Sequence, residues 1–200
     1  MAASHSFLED PDGTQEAIMK ATYEALCEHG YAGLTIARIA EDFEKSKSLL
    51  YHHYDSKDEL LLDFLSYMLE EFERTVPEME TKPAAKRLNT VIEHALESTP
   101  DDGSLGFIRA MVELRAQAAH DARFRDHFTA SDQVVQDKLV DIIEDGIEEG
   151  EFKAVDSEQV ASLLLATLSG GMTQRVTANS GRVKAIQAEL DRYIDTLLRS

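Results

Sequence analysis

The chain has 200 residues, 43% of them hydrophobic, which is enough for one or two small domains with a proper core and excludes a chain that is disordered overall. No stretch approaches the uninterrupted apolar length that spans a bilayer, and no basic segment followed by an apolar run opens the chain, so we expect a cytoplasmic protein with no membrane partner. The formal net charge of −18 is unusual, and Cys27, the only cysteine, excludes an internal disulfide and a cysteine-rich metal site.

The acidic charge is unevenly distributed along the chain. Residues 1–30 carry a net −5, residues 31–57 carry 0 and residues 58–200 carry −13. The neutral segment is therefore the part of the chain best suited to approach a polyanion such as DNA. Such a surplus of acid resembles that of proteins from salt-loving organisms, and the alternative is an ordinary acidic protein that its charge keeps soluble.

The first predicted helix follows a flexible N-terminal arm. Residues 1–12 are polar, lack periodicity and contain Pro11, so they predict the arm. The helix begins at Thr14 and ends at Gly30, a residue suited to a C-terminal stop. Its inward stripe consists of Ile18, Ala21, Thr22, Ala25 and Leu26. We expect this helix to brace the two short helices that follow.

A short helix is predicted directly after Thr35. The Thr35 hydroxyl is placed to cap a helix that begins at Ile36 and ends near Phe43. Apolar residues recur within it at three- and four-residue steps, which gives the helix one buried face.

A second short helix follows within three residues. Ser46 is a candidate cap, and Leu50 and Tyr54 lie one turn apart, so they can pack onto the preceding helix. The remaining face carries hydrogen-bonding groups and one cation: Lys47, Ser48, Tyr51 and His52. A helix laid in a major groove needs such groups for base edges and phosphates, so the pair predicts a helix-turn-helix that binds DNA.

A long helix over residues 57–75 is predicted next. Ser56 and Glu59 have the S-x-x-E spacing of a capping box, and apolar residues follow at helical steps. The N-terminus of this helix belongs to the DNA-binding segment and its body to the next domain, so it can carry movement from one to the other.

Five further helices are predicted beyond Pro83, over residues 88–96, 105–120, 134–147, 157–176 and 183–198. The fourth of these is apolar on more than one face, and the fifth repeats apolar residues at near-heptad steps. These two predict a homodimer interface built as a four-helix bundle, and packing within one chain is the alternative. The candidate interface residues are Leu164, Leu168, Gly171, Ile186, Leu190, Ile194 and Leu197.

Two motifs carry a family resemblance. The pattern G-Y-x-x-L-T-x-x-x-I-A begins at Gly30 and is followed by S-K-x-x-L-Y-x-H-Y-x-S-K-x-E-L, which begins at Ser46. Together they resemble the TetR family of transcriptional regulators, closely over residues 18–61 and loosely over the helices beyond. The resemblance implies an all-α fold, with a three-helix DNA-binding domain at 13–60 and a helical effector-binding and dimerisation domain at 61–200.

The resemblance also implies a function. It predicts a dimeric repressor whose two reading helices bind a palindromic operator in double-stranded DNA one helical turn apart, and which an effector releases. The groove and phosphate contacts fall to Thr35, Lys45, Ser46, Lys47, Ser48, Tyr51, His52 and Lys57.

The effector is an unknown small molecule, and the apolar residues available in the second domain suit a lipophilic or acyl-type compound. The candidate lining residues are Phe64, Met68, Val91, Phe107, Met111 and Leu168. Core packing explains the same residues equally well.

The turn between the two short helices departs from the family pattern. The family usually has a Gly and a small apolar residue there, whereas this chain has Glu44 and Lys45. Glu would be strained in a left-handed turn, which leaves the pitch of the reading helix open. A helical protein-interaction module that has lost DNA binding is therefore the alternative function, favoured by this turn and by the acidic charge.

No motif for catalysis or metal binding occurs. The sequence has no H-E-x-x-H, G-x-S-x-G, Walker or dinucleotide fingerprint, and its seven His residues are scattered, so we expect neither an enzyme, a cofactor nor a metal site. The adjacent His52 and His53 would point about 100° apart on a helix and would not chelate one ion. Glu113 and His120 could share a helical face, but such a pair is more often a solvated or core-edge contact.

Overall fold

The computed structural model describes residues 10–43, 47–75, 82–96, 104–179 and 182–198, and the elements within these ranges are all helical. The predicted all-α fold is therefore confirmed. In chain order the helices are α1 (Thr14–Gly33), α2 (Ile36–Asp42), α3 (Lys47–His53), α4 (Lys57–Thr75), α5 (Ala84–Leu96), α6 (Ser104–Gln117), α7 (Ala122–Glu148), α8 (Ser157–Thr177) and α9 (Arg182–Tyr193), which a π-helical turn, Ile194–Leu198, follows. In the described ranges, no helix is both long and apolar enough to cross a membrane.

Two compact units divide the chain. The first unit comprises Met1–Arg74 and Pro100–Phe128, and the second unit comprises Thr75–Thr99 and Thr129–Ser200. The segment 13–60, predicted to bind DNA, lies in the first unit, which also includes α6 and the beginning of α7. The predicted division at residue 60 concerns function, whereas these units follow packing, so that division stays a prediction.

Helix α1 buries the stripe that its sequence predicts. The residues of that stripe, Ile18, Ala21, Thr22, Ala25 and Leu26, are joined in the core by Met19. At Gly30 the backbone leaves the helical conformation, with φ 63° and ψ 175°, before one last turn reaches Gly33. The predicted stop is therefore a kink, in a backbone conformation that glycine adopts without a steric penalty.

Two of the predicted caps are present. Thr35 Oγ1 accepts a hydrogen bond from the backbone N–H of Arg38 at 3.2 Å and so caps α2. Ser56 Oγ accepts from the N–H of Glu59 at 3.2 Å, while the Glu59 carboxylate accepts from the N–H of Asp55 at 3.0 Å. These bonds explain where α2 and α4 begin. The candidate cap at Ser46 lies outside the described residues.

Helix α7 begins earlier than predicted, at Ala122 instead of residue 134. The Asp121 carboxylate accepts from the N–H of Arg123 at 2.8 Å at this end. Phe124 and Phe128 anchor the first turns, because both are buried in the core of the first unit. The prediction missed these turns because only two large apolar residues, one turn apart, stand there among polar and charged ones.

Gly146 lies inside α7, where the sequence predicts a loosened helix end. A Cβ at this position would lie 2.2 Å from Cδ2 of Phe152, which is buried in the core of the second unit. The N–H of Phe152 donates to the carbonyl of Gly146 at 2.8 Å. The glycine therefore makes room for an aromatic ring that folds back onto the helix.

We predict that Gly146→Ala lowers the free energy of unfolding by about 1–3 kcal/mol, because the Phe152 ring must leave its site to admit the methyl group. This loss works against the gain of about 1 kcal/mol that Ala normally brings to a helix interior. Urea denaturation monitored by circular dichroism measures the change. Phe152→Leu should recover part of the loss in the Gly146→Ala background, and an unfolding free energy that Gly146→Ala leaves unchanged would contradict the packing role.

Candidate nucleic-acid interface

The short helices α2 and α3 are held on the core of the first unit. Ile39 and Ala40 of α2 and Leu50 of α3 are at most 1% exposed, and they share one cluster with Leu60 and Leu61 of α4. A helix of seven residues is not stable alone, so this packing determines where α3 lies. The buried side of each helix is the one that the apolar periodicity predicts.

The opposite face of α3 is open to solvent. Ser48, Tyr51 and His52 are exposed, and Lys47 is the first residue of the helix. The Tyr51 side chain is 56% exposed, which is unusual for a large aromatic residue with no partner surface. Hydroxyl, phenol and imidazole groups can hydrogen-bond to base edges and phosphates. Lys45, Ser46 and the Glu44–Lys45 turn lie outside the described residues.

A shallow concavity of about 570 Å³ adjoins this face. The start of α2, Tyr51 of α3 and the start of α4 line it, and its other polar or charged residues are Thr35, Asp55, Ser56 and Lys57. Three of the predicted DNA-binding residues are thus brought to one surface: Thr35, which caps α2, Tyr51 of α3 and Lys57 of α4. The hydroxyl groups and the ammonium are suited to contacts with a phosphate backbone, whereas the Asp55 carboxylate would repel one.

Tyr54 fixes the C-terminal end of α3 to α4. Its hydroxyl donates to the Asp63 carboxylate at 2.5 Å, and its backbone N–H donates to the carbonyl of Leu50 at 3.0 Å. Burial, together with this bond to a carboxylate, raises the pKa of Tyr54 well above its usual value. The phenol is therefore protonated near neutral pH and donates to the carboxylate there.

Lys57, the first residue of α4, is held by Tyr31. Its Nζ donates to the Tyr31 carbonyl at 2.9 Å and lies 4.0 Å from the centroid of the Tyr31 ring. The Tyr31 hydroxyl in turn donates to Asp58 at 3.1 Å. The Lys57 ammonium therefore has a defined position beside the concavity, and sequence patterns gave no indication of its contact with Tyr31.

The thiol of Cys27 lies half-buried on α1. Burial raises its pKa to about 11, so the thiol is protonated near neutral pH. Among the described residues, no group of three His, Cys, Asp or Glu side chains is arranged to hold a metal ion.

The structure divides the candidate effector-binding residues between the two units. Phe64 is fully buried in the first unit, where Met68, Phe107 and Met111 pack partly exposed against the same core. The Phe107 ring stacks on that of Tyr23, with centroids 5.1 Å apart. Of the other two candidates, Leu168 is buried in the core of the second unit and Val91 packs partly exposed against it.

Most of the candidate dimer residues lie inside the second unit. Leu164, Leu168, Leu190 and Ile194 are at most 7% exposed in its core. Gly171 is also buried, because a Cβ there would lie 2.6 Å from Cδ2 of Leu96. Packing within one chain therefore accounts for these five residues. Ile186 is half-buried, and the side chain of Leu197 lies outside the description.

The exposed face of α8 was missed by the sequence analysis. Leu163 is 51% exposed, and Ala166 and Gly170 are exposed three and seven residues further along the same helix. A Cβ at Gly170 would meet nothing within 4 Å. The i, i+3, i+7 spacing of these residues places them on one face of the helix. Because α8 is apolar on more than one face, the spacing alone does not show which face is exposed.

Two family models match the chain. Residues 18–64 match the tetR family of bacterial regulatory proteins, and residues 84–199 match the C-terminal domain of BetI-type transcriptional repressors. The second match alone covers more than half of the chain.

Whole proteins are similar to the chain over nearly its full length. It is 22% identical to the HTH-type transcriptional repressor AcnR of Corynebacterium efficiens, over 96% of this chain and 95% of AcnR. A TetR transcription regulator from Haloarcula marismortui has a similar structure, with a TM-score of 0.81 and 36% identity over 92% of this chain and 98% of that one. A transcriptional regulator from Saccharomonospora viridis in complex with choline has a TM-score of 0.80 and 22% identity, over 93% of this chain and 97% of the other. These matches confirm the resemblance found in the sequence: the chain belongs to the TetR family of DNA-binding transcriptional regulators.

Proposed function

We propose that this regulator is a repressor that binds a palindromic operator as a homodimer and leaves it when a small effector binds. The observation that carries the proposal is the exposed face of α3, with Ser48, Tyr51 and His52 in solvent above a core that holds the helix in place. A helix of this kind fits the major groove, and two copies in a dimer would read two half-sites one turn apart.

The contacts divide into two kinds. Ser48, Tyr51 and His52 face outwards from α3 and are suited to base edges, whereas Thr35 and Lys57 border the concavity and are suited to phosphates. Thr35 uses its oxygen as the acceptor that caps α2, so its O–H remains able to donate to a phosphate oxygen.

The charge distribution along the chain supports DNA binding by this same surface. Residues 31–57 are neutral in a chain of net charge −18, so this segment repels DNA least. An interface with few cations depends on hydrogen bonds and shape more than on the release of counterions. A repressor that acts on genomic DNA in a prokaryotic cell would work in the cytoplasm.

A second copy of the chain would cover the exposed face of α8. Leu163, Ala166 and Gly170 give that face one large apolar side chain and two small ones, which allows two helices to approach closely. Leu164, Leu168 and Gly171, on the other side of the helix, hold it to its own core.

The effector would enter next to the partly exposed apolar side chains of the first unit. Met68, Phe107 and Met111 combine an aromatic ring with flexible thioethers, which suits a small lipophilic molecule. A small organic cation is a second candidate, because the similar regulator from Saccharomonospora viridis was crystallised with choline.

Enrichment of bound fragments from sheared genomic DNA, followed by gel shifts on the recovered sequences, tests DNA binding. The proposal expects a palindromic sequence that the protein binds specifically. Failure to enrich any sequence would favour the alternative, a helical interaction module that has lost DNA binding.

We predict that Tyr51→Ala and Lys47→Ala each weaken binding to the enriched operator by about 1–3 kcal/mol, because each removes a groove or phosphate contact. The melting temperature should barely move, since Tyr51 is exposed and Lys47 begins a helix whose packing rests on Leu50. Fluorescence anisotropy with labelled operator gives the affinities. Lys184→Ala, an exposed charge change on α9, is the control and should leave binding intact. Unchanged affinity in both test variants would remove α3 from the interface.

We predict that Leu163→Glu converts the dimer to monomers, because a carboxylate would be buried without a partner between two α8 helices. Folding should be retained, since the side chain is 51% exposed in the single chain. Sedimentation velocity measures the oligomeric state. Ala130→Glu, at an exposed position of α7, is the matched control and should remain dimeric. A Leu163→Glu protein that stays dimeric would place the interface elsewhere.

A further inference from the structure

The kink at the end of α1 holds an unusual backbone junction. Tyr31, directly after Gly30, donates its backbone N–H to the Glu113 carboxylate of α6 at 2.6 Å. Its carbonyl accepts from Nζ of Lys57 at 2.9 Å. One residue thus has its two backbone groups bonded to side chains from two other helices, and its carbonyl also accepts a longer bond of 3.4 Å from the N–H of Leu34.

The absence of a side chain at Gly30 leaves room for the Glu113 carboxylate in the position it occupies. A Cβ built on Gly30 would lie 2.8 Å from Oε2 of Glu113. Helix α6 approaches α1 closely at a second point, since a Cβ on Gly106 would lie 2.9 Å from the Cys27 carbonyl. Two tight contacts seven residues apart along α6 place the Glu113 carboxylate against the kink with little freedom.

Glu113 has no part in the proposed contacts with DNA. It is the one acidic residue of α6, it is half-buried, and its known partner is a backbone amide rather than a cation. Since a buried carboxylate is costly without hydrogen bonds, its position beside the kink calls for an explanation.

We propose that Glu113 is a positioning residue for operator binding, which acts through Tyr31 to hold the Lys57 ammonium where it meets a DNA phosphate. The inference rests on the proposed function and adds a route for its regulation. Glu113 fixes the Tyr31 backbone, and the Tyr31 carbonyl and ring fix Lys57.

Helix α6 also carries Phe107 and Met111, two of the partly exposed residues proposed to meet the effector. A ligand that shifts α6 away from α1 would withdraw the carboxylate from Tyr31 and free the Lys57 ammonium from its place. Affinity for the operator would then fall without any movement of the α3 core contacts.

Whether operator affinity rises or falls when Glu113 is removed distinguishes a positioning role from a purely electrostatic one. Removing an acidic residue from a protein of net charge −18 reduces its repulsion from DNA. A Glu→Ala change at a position with no role in binding should therefore tighten binding slightly. Loss of a positioning residue should weaken binding despite that gain. Glu28, exposed on α1 two residues before the kink at Gly30, offers the matched control.

The experiment compares Glu113→Ala, Glu113→Gln, Glu28→Ala and Lys57→Ala on the operator recovered by genomic enrichment. We expect Lys57→Ala to lose about tenfold in affinity and to lower the slope of log K against log salt by about one. Glu113→Ala should lose about three- to tenfold and lower the slope in the same direction. Glu113→Gln should remain near wild type, because the amide oxygen can still accept from Tyr31, and Glu28→Ala should bind at least as well as wild type.

The double variant Glu113→Ala/Lys57→Ala should bind like Lys57→Ala alone, because both changes remove one contact. If the fold loss in affinity of the double variant equals the product of the two single losses, the proposal is overturned, since Glu113 would then not act through Lys57. A Glu113→Ala protein that binds as tightly as Glu28→Ala would overturn it as well.

A measurement without DNA distinguishes failure of the Glu113 positioning role from failure of the proposed operator binding. Hydrogen exchange of the Tyr31 amide should be at least about tenfold faster in Glu113→Ala and unchanged in Glu28→Ala, as expected when an amide loses its acceptor. Equal exchange of the Tyr31 amide in wild type and Glu113→Ala would overturn the link itself, which is the hydrogen bond from Tyr31 to Glu113. Fast exchange in Glu113→Ala together with no operator binding by the wild type would instead overturn the proposed function, and with it the role of the link.

Discussion

The surface proposed to read DNA depends on a helix that cannot stand alone. Helix α3 has seven residues, about two turns, and an isolated helix of this length is unstable in water. Leu50 buries one side of it in the core of the first unit, and the bond from Tyr54 to Asp63 holds its end to α4. The packing of α3 therefore rests mainly on its buried side, which leaves its exposed side chains available for contacts outside the chain.

The acidity of the chain shapes how this surface can work. A strongly basic DNA-binding protein gains affinity for any sequence through counterion release, whereas a neutral patch in an acidic chain gains little. Most of its binding free energy must then come from groove contacts, shape and the few cations that are well placed. A fixed Lys57 ammonium matters more in such a protein than it would in one with many lysines to spare.

Local features of the fold could be predicted from the sequence, and distant ones could not. The caps at Thr35 and Ser56 and the extent of α4 follow from residues within one turn of each other, so pattern and propensity suffice. The burial of Gly171, next to the exposed Gly170, depends on Leu96 of another helix, and apolar periodicity cannot tell the internal from the external side of α8. The bond from Tyr31 to Glu113 joins residues 82 positions apart, and no sequence pattern marks it.

The environment of Cys27 has a consequence for oxidants. With a thiol pKa of about 11, only about one molecule in 10⁴ carries a thiolate at pH 7, and the thiolate is the nucleophile that attacks peroxides and disulfides. Because this is the chain's only cysteine, oxidants that react with thiols should leave the protein's DNA affinity largely untouched. A new cysteine placed on the solvent-facing side of α3 would in turn react far faster than the native one, so a single reporter dye could be attached there selectively.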